Sequence, residues 1–171
     1  MNAISAKNVG ILAAMTLAEV GPASDVKGFF NVVLSLLENG TNGSKYPWII
    51  GKLYRGSLAY DELYKVKNEL DSIKNEFSAI SPDNIKWSTF GIVKNHSRLN
   101  FDAGNLFLVF ERFFKAFEEA LTCSEAYYQA FNKYIPVRLG FTDAPHYMDD
   151  VNRTSEQYNA LGPNDPPFWL R

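Results

Sequence analysis

The sequence predicts an α+β fold, a single domain with amphipathic helices packed on a small, mainly antiparallel sheet, followed by an irregular C-terminal tail. Three observations lead there. Apolar residues recur at helical spacing within 61–80 and again within 106–121. An early run, Val9 to Ala18, alternates with a period of two. Past Pro136, glycine and proline break the pattern too often for long elements.

In the early run, Val9, Ile11, Ala13, Met15 and Leu17 alternate with Gly10, Leu12, Ala14, Thr16 and Ala18, which predicts one strand with a strongly apolar face and a face of mostly small residues. The run is too short to span a bilayer, which takes about 20 apolar residues. Glu19 in the would-be cleavage region, with only Lys7 as a positive end, argues against an export leader.

Ser24 or Asp25 is suited to cap a helix running to about Glu38, with Val26, Phe29, Phe30, Val33 and Leu37 on one side and Asn39-Gly40 as its stop. After a loop over 41–45, Tyr46-Pro47-Trp48-Ile49-Ile50 opens a short helix, because proline is tolerated in a first turn, and Gly56 ends it. The clearest element is Asp61 to Ile80, where Leu63, Val66, Leu70, Ile73, Phe77 and Ile80 are spaced 3, 4, 3, 4 and 3 apart. Mixed charges occupy its other faces. Docking of this stripe onto the domain's own sheet is expected. The alternative is a seam joining copies of the chain in a homo-oligomeric module.

Ser81-Pro82-Asp83-Asn84 turns the chain, and Ile85 to Phe90 with Ile92-Val93 suggest short strands. Asp102 to Asn105 is expected to be a polar hinge. From Leu106 a helix carries Phe110, Phe113, Phe117 and Leu121 on one side, and Ser124 is expected to restart a helical turn bearing Tyr127, Tyr128 and Phe131. A strand is expected near Ile135 to Phe141. The organisation predicted is one domain over 1–171, a core over 1–135 and an extended segment over 136–171.

Composition narrows the function. A chain of 171 residues can bury roughly 70% of its unfolded surface, and 15% aromatic content supplies large side chains for a core. With one cysteine, Cys123, no intramolecular disulfide is available, which fits a cytoplasmic home. The net charge of −2, without a Lys/Arg run, speaks against a nucleic-acid partner, and no membrane partner is expected.

Catalytic constellations are hard to find. The loop Gly40-Thr41-Asn42-Gly43-Ser44-Lys45 lacks the glycine spacing of a phosphate loop and follows a helix instead of a strand. Cys123 and His96 lack the flanking signatures of a nucleophile and its base, and Cys123 is expected to be a small buried hydrophobe. Glu118 and Glu119 point about 100° apart on a helix and cannot share one substrate. His146, Asp149 and Asp150 have donor chemistry suited to a divalent cation, which keeps a metal-dependent enzyme open as an alternative, although such loop clusters usually prove to be solvated. No cofactor, metal or catalytic residue is therefore expected, and the enzyme case is thin.

A recognition surface is the better fit. From Phe141 to Arg171 five acids, Asp143, Asp149, Asp150, Glu156 and Asp165, face two bases, Arg153 and Arg171, among aromatic residues. Such a patch suits a basic protein partner. Tyr147, Asp149, Asp150 and Glu156 are the partner-binding residues expected from charge and exposure, on a monomer or weak dimer.

Four stretches carry a family resemblance: Gly28-Phe29-Phe30 within a helix, Gly43-Ser44-Lys45-Tyr46-Pro47-Trp48-Ile49-Ile50, Leu53-Tyr54-Arg55-Gly56-Ser57-Leu58, and Ser81-Pro82-Asp83 before Ile85-Lys86-Trp87. Together they resemble the Imm70 family of bacterial immunity proteins over roughly residues 8 to 121. The resemblance implies a strand, a helix, a short proline-containing helix and a charged helix ending at Ser-Pro-Asp. It also implies binding to a toxin domain from a polymorphic or contact-dependent growth inhibition system, most often a nuclease. The segment past Pro136 extends beyond the family pattern, and no contact residue transfers from it.

Overall fold

The computed structural model describes residues 8–14, 16–79 and 103–142. Two strands open the chain, β1 at Asn8–Ala13 and β2 at Thr16–Pro22. Helix α1 follows at Ala23–Val32 and runs directly into a π-helical segment, Val33–Leu37. A second π-helical segment, Pro47–Leu53, leads to the short strand β3 at Ser57–Leu58. Two long helices come next, α2 at Glu62–Ser78 and α3 at Ala103–Phe131, and then strand β4 at Val137–Phe141. The fold is α+β, and the four strands form an antiparallel sheet in the order β2-β1-β4-β3.

The single strand expected over 9–18 is in fact a hairpin. Leu12 pairs with Leu17 and Ala13 with Thr16, while Ala14 takes a left-handed φ of 53° at the turn. The period-two pattern passes through the turn unbroken, so alternation alone did not reveal the reversal. Gly10 is fixed by packing across this hairpin. A Cβ there would lie 2.8 Å from the Ala18 carbonyl oxygen and 2.8 Å from Leu17 Cδ1. The register also shifts between Val9 and Gly10, where Val20 is the extra residue of β2, a bulge that bends the strand and increases its local twist.

β4 enters the sheet between β1 and β3, with Ile11 opposite Leu139 and Leu58 opposite Val137. The strand expected near Ile135 to Phe141 is thus part of the sheet's interior, and the sheet draws on residues beyond Pro136. Helix α3 packs across β1 and β2 and against α1. Its aromatic stripe fills the space between them. Phe29 of α1 stacks on Phe113 at 4.0 Å with ring planes 9° apart, and Phe77 of α2 stacks on Phe110 at 3.8 Å and 2°. Edge-on contacts of Phe30 with Phe29 and Phe113 complete the cluster. Aromatic pairs of this kind contribute about 0.5–1.5 kcal/mol each beyond their buried area.

The α2 stripe is buried as expected at Leu63, Val66, Leu70, Ile73 and Phe77. Its principal neighbours are the Pro47–Leu53 segment, α3 and the Val33–Leu37 segment, so the helix docks chiefly on other helices and not on the sheet. These five side chains are covered by their own chain and so do not present an open apolar seam to a second copy, while Ile80, the last residue of the expected stripe, lies outside the described residues.

Further expectations need correction. Neither Ser24 nor Asp25 caps α1, since the N-cap position is Pro22 and no side chain caps it; Asp25 instead pairs with Arg112 of α3 at 2.7 Å. The hinge expected at Asp102 to Asn105 is helical from Ala103. Ser124 does not restart a helix, being a buried residue inside the unbroken α3. Cys123 is half-buried against the core and not fully enclosed. The strands expected between Ile85 and Val93 lie outside the described residues.

Candidate functional site

Two surface features stand on firm supports. The first is the loop joining the two π-helical segments. Glu38 ends the first segment, 4% exposed, with its carboxylate turned into the loop. Oε1 accepts the Gly43 N–H at 3.1 Å, and Oε2 accepts those of Lys45 at 2.9 Å and Tyr46 at 2.8 Å. Positive φ at Asn39, Gly40 and Gly43 lets the chain curl around the acid. A phosphate loop would need these N–H groups for its ligand, and here an internal carboxylate has taken them. The phosphate likeness ends there.

Glu69 of α2 repeats the device one turn on. Its two oxygens accept the N–H groups of Trp48 at 3.1 Å and Ile49 at 2.8 Å, the unsatisfied donors at the start of the Pro47–Leu53 helix. Burial raises the Glu69 pKa, and these two N–H donors oppose the rise. Around the pair, Lys45 bridges to Glu76, the Tyr46 hydroxyl lies 3.4 Å from Ser72 Oγ, and the Lys65 ammonium sits 4.3 Å from the centre of the Trp48 ring. The stretch Gly43 to Ile50 is therefore held by Glu38 at its start and by α2 from Lys45 onward, with Asn39 to Asn42, Ser44, Lys45 and Pro47 exposed.

The second feature is an aromatic surface where the start of α2 meets the end of α3. Tyr60 stacks on Tyr128 at 4.5 Å and 20°, and meets Tyr134 at 5.5 Å and Tyr64 at 6.5 Å edge-on. Tyr127 packs on Phe131 at 4.9 Å. The Tyr134 hydroxyl donates to the Leu58 carbonyl of β3 and accepts from Val137 N–H of β4, which ties the cluster to the sheet. Burial pushes the Tyr134 pKa well above the ordinary phenol range. The Tyr64 hydroxyl donates to Glu125, and that hydrogen bond to a carboxylate pushes its pKa up to about 12.

Despite this ordering, much of the cluster faces solvent. Tyr64 is 45% exposed, Tyr128 39% and Phe131 62%. A groove between α2 and α3 passes over Leu70, Phe114 and Phe117, where Lys67 pairs with Asp71 at 3.1 Å near Lys74 and Glu118.

Tyr147, Asp149, Asp150 and Glu156, expected to bind a partner, lie outside the described residues, as do His146 and His96. Among the described residues no group of three or more His, Cys, Asp or Glu is placed to hold a metal ion, and no helix is long and apolar enough to cross a membrane. Sequence reasoning passed over Glu38, Glu69 and the tyrosine cluster. Glu38 did carry a signal: an acid at the C-terminal end of a helix is opposed by the helix dipole and must be explained by something else. Tyr60 and Tyr64, four apart, flank the start of α2, and Tyr128 and Phe131, three apart, share a face of α3, but their meeting depends on how α2 and α3 pair.

These elements define an α+β protein that presents a braced loop and an ordered, exposed aromatic surface. The family model Immunity protein 70 matches residues 11–131, well over half of the chain, and the chain belongs to that family. No curated protein and no solved structure matches it significantly. Membership assigns an immunity role in general, and with it a toxin as the kind of partner bound.

Proposed function

We propose that this chain acts in the cytoplasm as one domain over 1–171, as a monomer or weak dimer, and neutralises a cognate toxin domain by covering its active site or the approach to it. The proposed toxin is a basic nuclease delivered by a contact-dependent or polymorphic toxin system. The observation that carries this reading is the family match across 11–131. Inhibition by a stable cover needs surface that is ordered before the partner arrives, since ordering a loop on binding costs affinity. The Glu38 and Glu69 clamps supply such order. Net charge of −2 favours encounter with a basic partner, and Tyr147, Asp149, Asp150 and Glu156 are proposed to extend the contact.

The test is survival. Cells expressing the toxin domain encoded beside this gene grow when the chain is co-expressed and stop growing without it. Continued killing with the chain abundant and folded rejects the proposal.

A further inference from the structure

We infer that the tyrosine surface at the junction of α2 and α3 receives a lysine- or arginine-bearing segment of the toxin, a step that rests on the toxin-binding reading above. Three properties of the surface lead there. It is apolar and exposed at Tyr64, Tyr128 and Phe131 while being rigidly backed, as Tyr60 stacks beneath Tyr128 and Tyr134 is bonded to both β3 and β4. Tyrosine and phenylalanine lose little rotamer freedom on contact and are enriched where protein interfaces concentrate their energy. Open tyrosine and phenylalanine faces also attract guanidinium and ammonium groups, as Trp48 already does for Lys65 within this chain.

The charge around the rings gives the occupant its sign. Glu125 lies among them, held by Tyr64, and Asp61 and Glu62 raise the Tyr134 pKa from nearby. Of the bases at this end, Lys52 is already paired with Glu62 at 3.5 Å, and Lys133 follows Phe131 at the end of α3. Asp61 is exposed and engages no ion pair among the described residues. Carboxylates beside open aromatic faces form a receptor for a cation on an apolar stem, which is the chemistry of an Arg or Lys side chain. A toxin domain that grips a polyanionic substrate carries such side chains on its working face.

Two measurements test this assignment. In the first, affinity for the purified toxin domain encoded beside this gene is compared between the unaltered chain and Tyr128→Ala, Phe131→Ala and Glu125→Lys. Each replacement is expected to weaken binding about 10- to 100-fold with the thermal midpoint near that of the unaltered chain. Leu108→Ala, at a residue 55% exposed near the other end of α3, is expected to leave affinity unchanged. In the second, a hexa-arginine peptide is expected to shift the ring resonances of Tyr64, Tyr128 and Phe131 saturably, and a hexaglutamate peptide to leave them in place.

Full affinity in all three variants overturns the assignment while sparing the immunity reading. Absence of any ring shift with hexa-arginine overturns the cationic occupant. A dimer in sedimentation that Phe131→Ala dissolves overturns it in favour of a second copy of this chain. If the unaltered chain itself fails to bind the toxin domain, the immunity reading falls and this assignment falls with it.

Discussion

Glu38 holds the backbone N–H of Tyr46, eight residues further on, at 2.8 Å, from a position at the end of a helix where the dipole opposes an acid. Three N–H donors from the loop offset that opposition. Removing the acceptor strands the buried Tyr46 N–H, at a cost of about 1–3 kcal/mol, and strips the part-buried N–H groups of Gly43 and Lys45 of their partner at a smaller cost, since water reaches them. Glu38→Ala should therefore lower stability by about 3 kcal/mol, and Glu38→Gln by less, since an amide retains one acceptor oxygen. Urea unfolding measures the loss, and faster amide exchange at Gly43, Lys45 and Tyr46 locates it in the loop.

Glu69 makes the equivalent clamp pH-sensitive. Burial raises its folded pKa above the unfolded value of 4.5, against the pull of the Trp48 and Ile49 N–H groups. Between those two pKa values the folded state binds more proton than the unfolded one, so this group's contribution to stability declines as pH rises through that window. Glu69→Gln removes the titration. The stability of the unaltered chain relative to Glu69→Gln is expected to increase as pH falls from 7 to 4.5, as measured by denaturant midpoints across that range. A difference that grows in the opposite direction contradicts the assignment.

The stack of Phe77 on Phe110 joins α2 to α3 at a site where both rings are buried. Phe110→Ala deletes a ring that also touches Phe29 at 4.7 Å. Losses of about 3–5 kcal/mol are typical of such truncations. For a domain of this size that corresponds to a fall in the thermal midpoint of about 10 °C, readable by calorimetry.

How legible was this in the sequence? The helices were legible wherever burial followed a 3.6-residue period, as at Leu63, Val66, Leu70, Ile73 and Phe77. The hairpin was not, because its turn at Ala14 has no Asn-Gly or Gly-Gly signature and the alternation continues across it. Ser124 looked like a break because serine commonly starts helices, whereas packing on the sheet and α1 carries α3 past it. The candidate surface was the least legible part. Tyr60, Tyr64, Tyr128 and Tyr134 come from three segments, and helical spacing of aromatic residues points to a core as readily as to an exposed patch.

Gly10 gives a sharp test of the hairpin. A methyl group there meets the Ala18 carbonyl oxygen, a backbone atom that cannot rotate away. Gly10→Ala is expected to cost about 1–3 kcal/mol through forced separation of β1 and β2, whereas Gly51→Ala, with open space at its Cβ position, should lie within about 1 kcal/mol of the unaltered chain. Equal stabilities for the two variants contradict the pairing of Gly10 opposite the Leu17–Glu19 stretch.

The claim on which function turns is direct neutralisation of a toxin by this folded chain. Titrating the purified toxin domain with increasing amounts of the chain, and following the toxin's own reaction, measures it without reference to growth. The account predicts activity falling in proportion to added chain and vanishing at equimolar amounts, with the two proteins eluting together. Undiminished toxin activity in a molar excess of folded chain, with the two eluting apart, contradicts it.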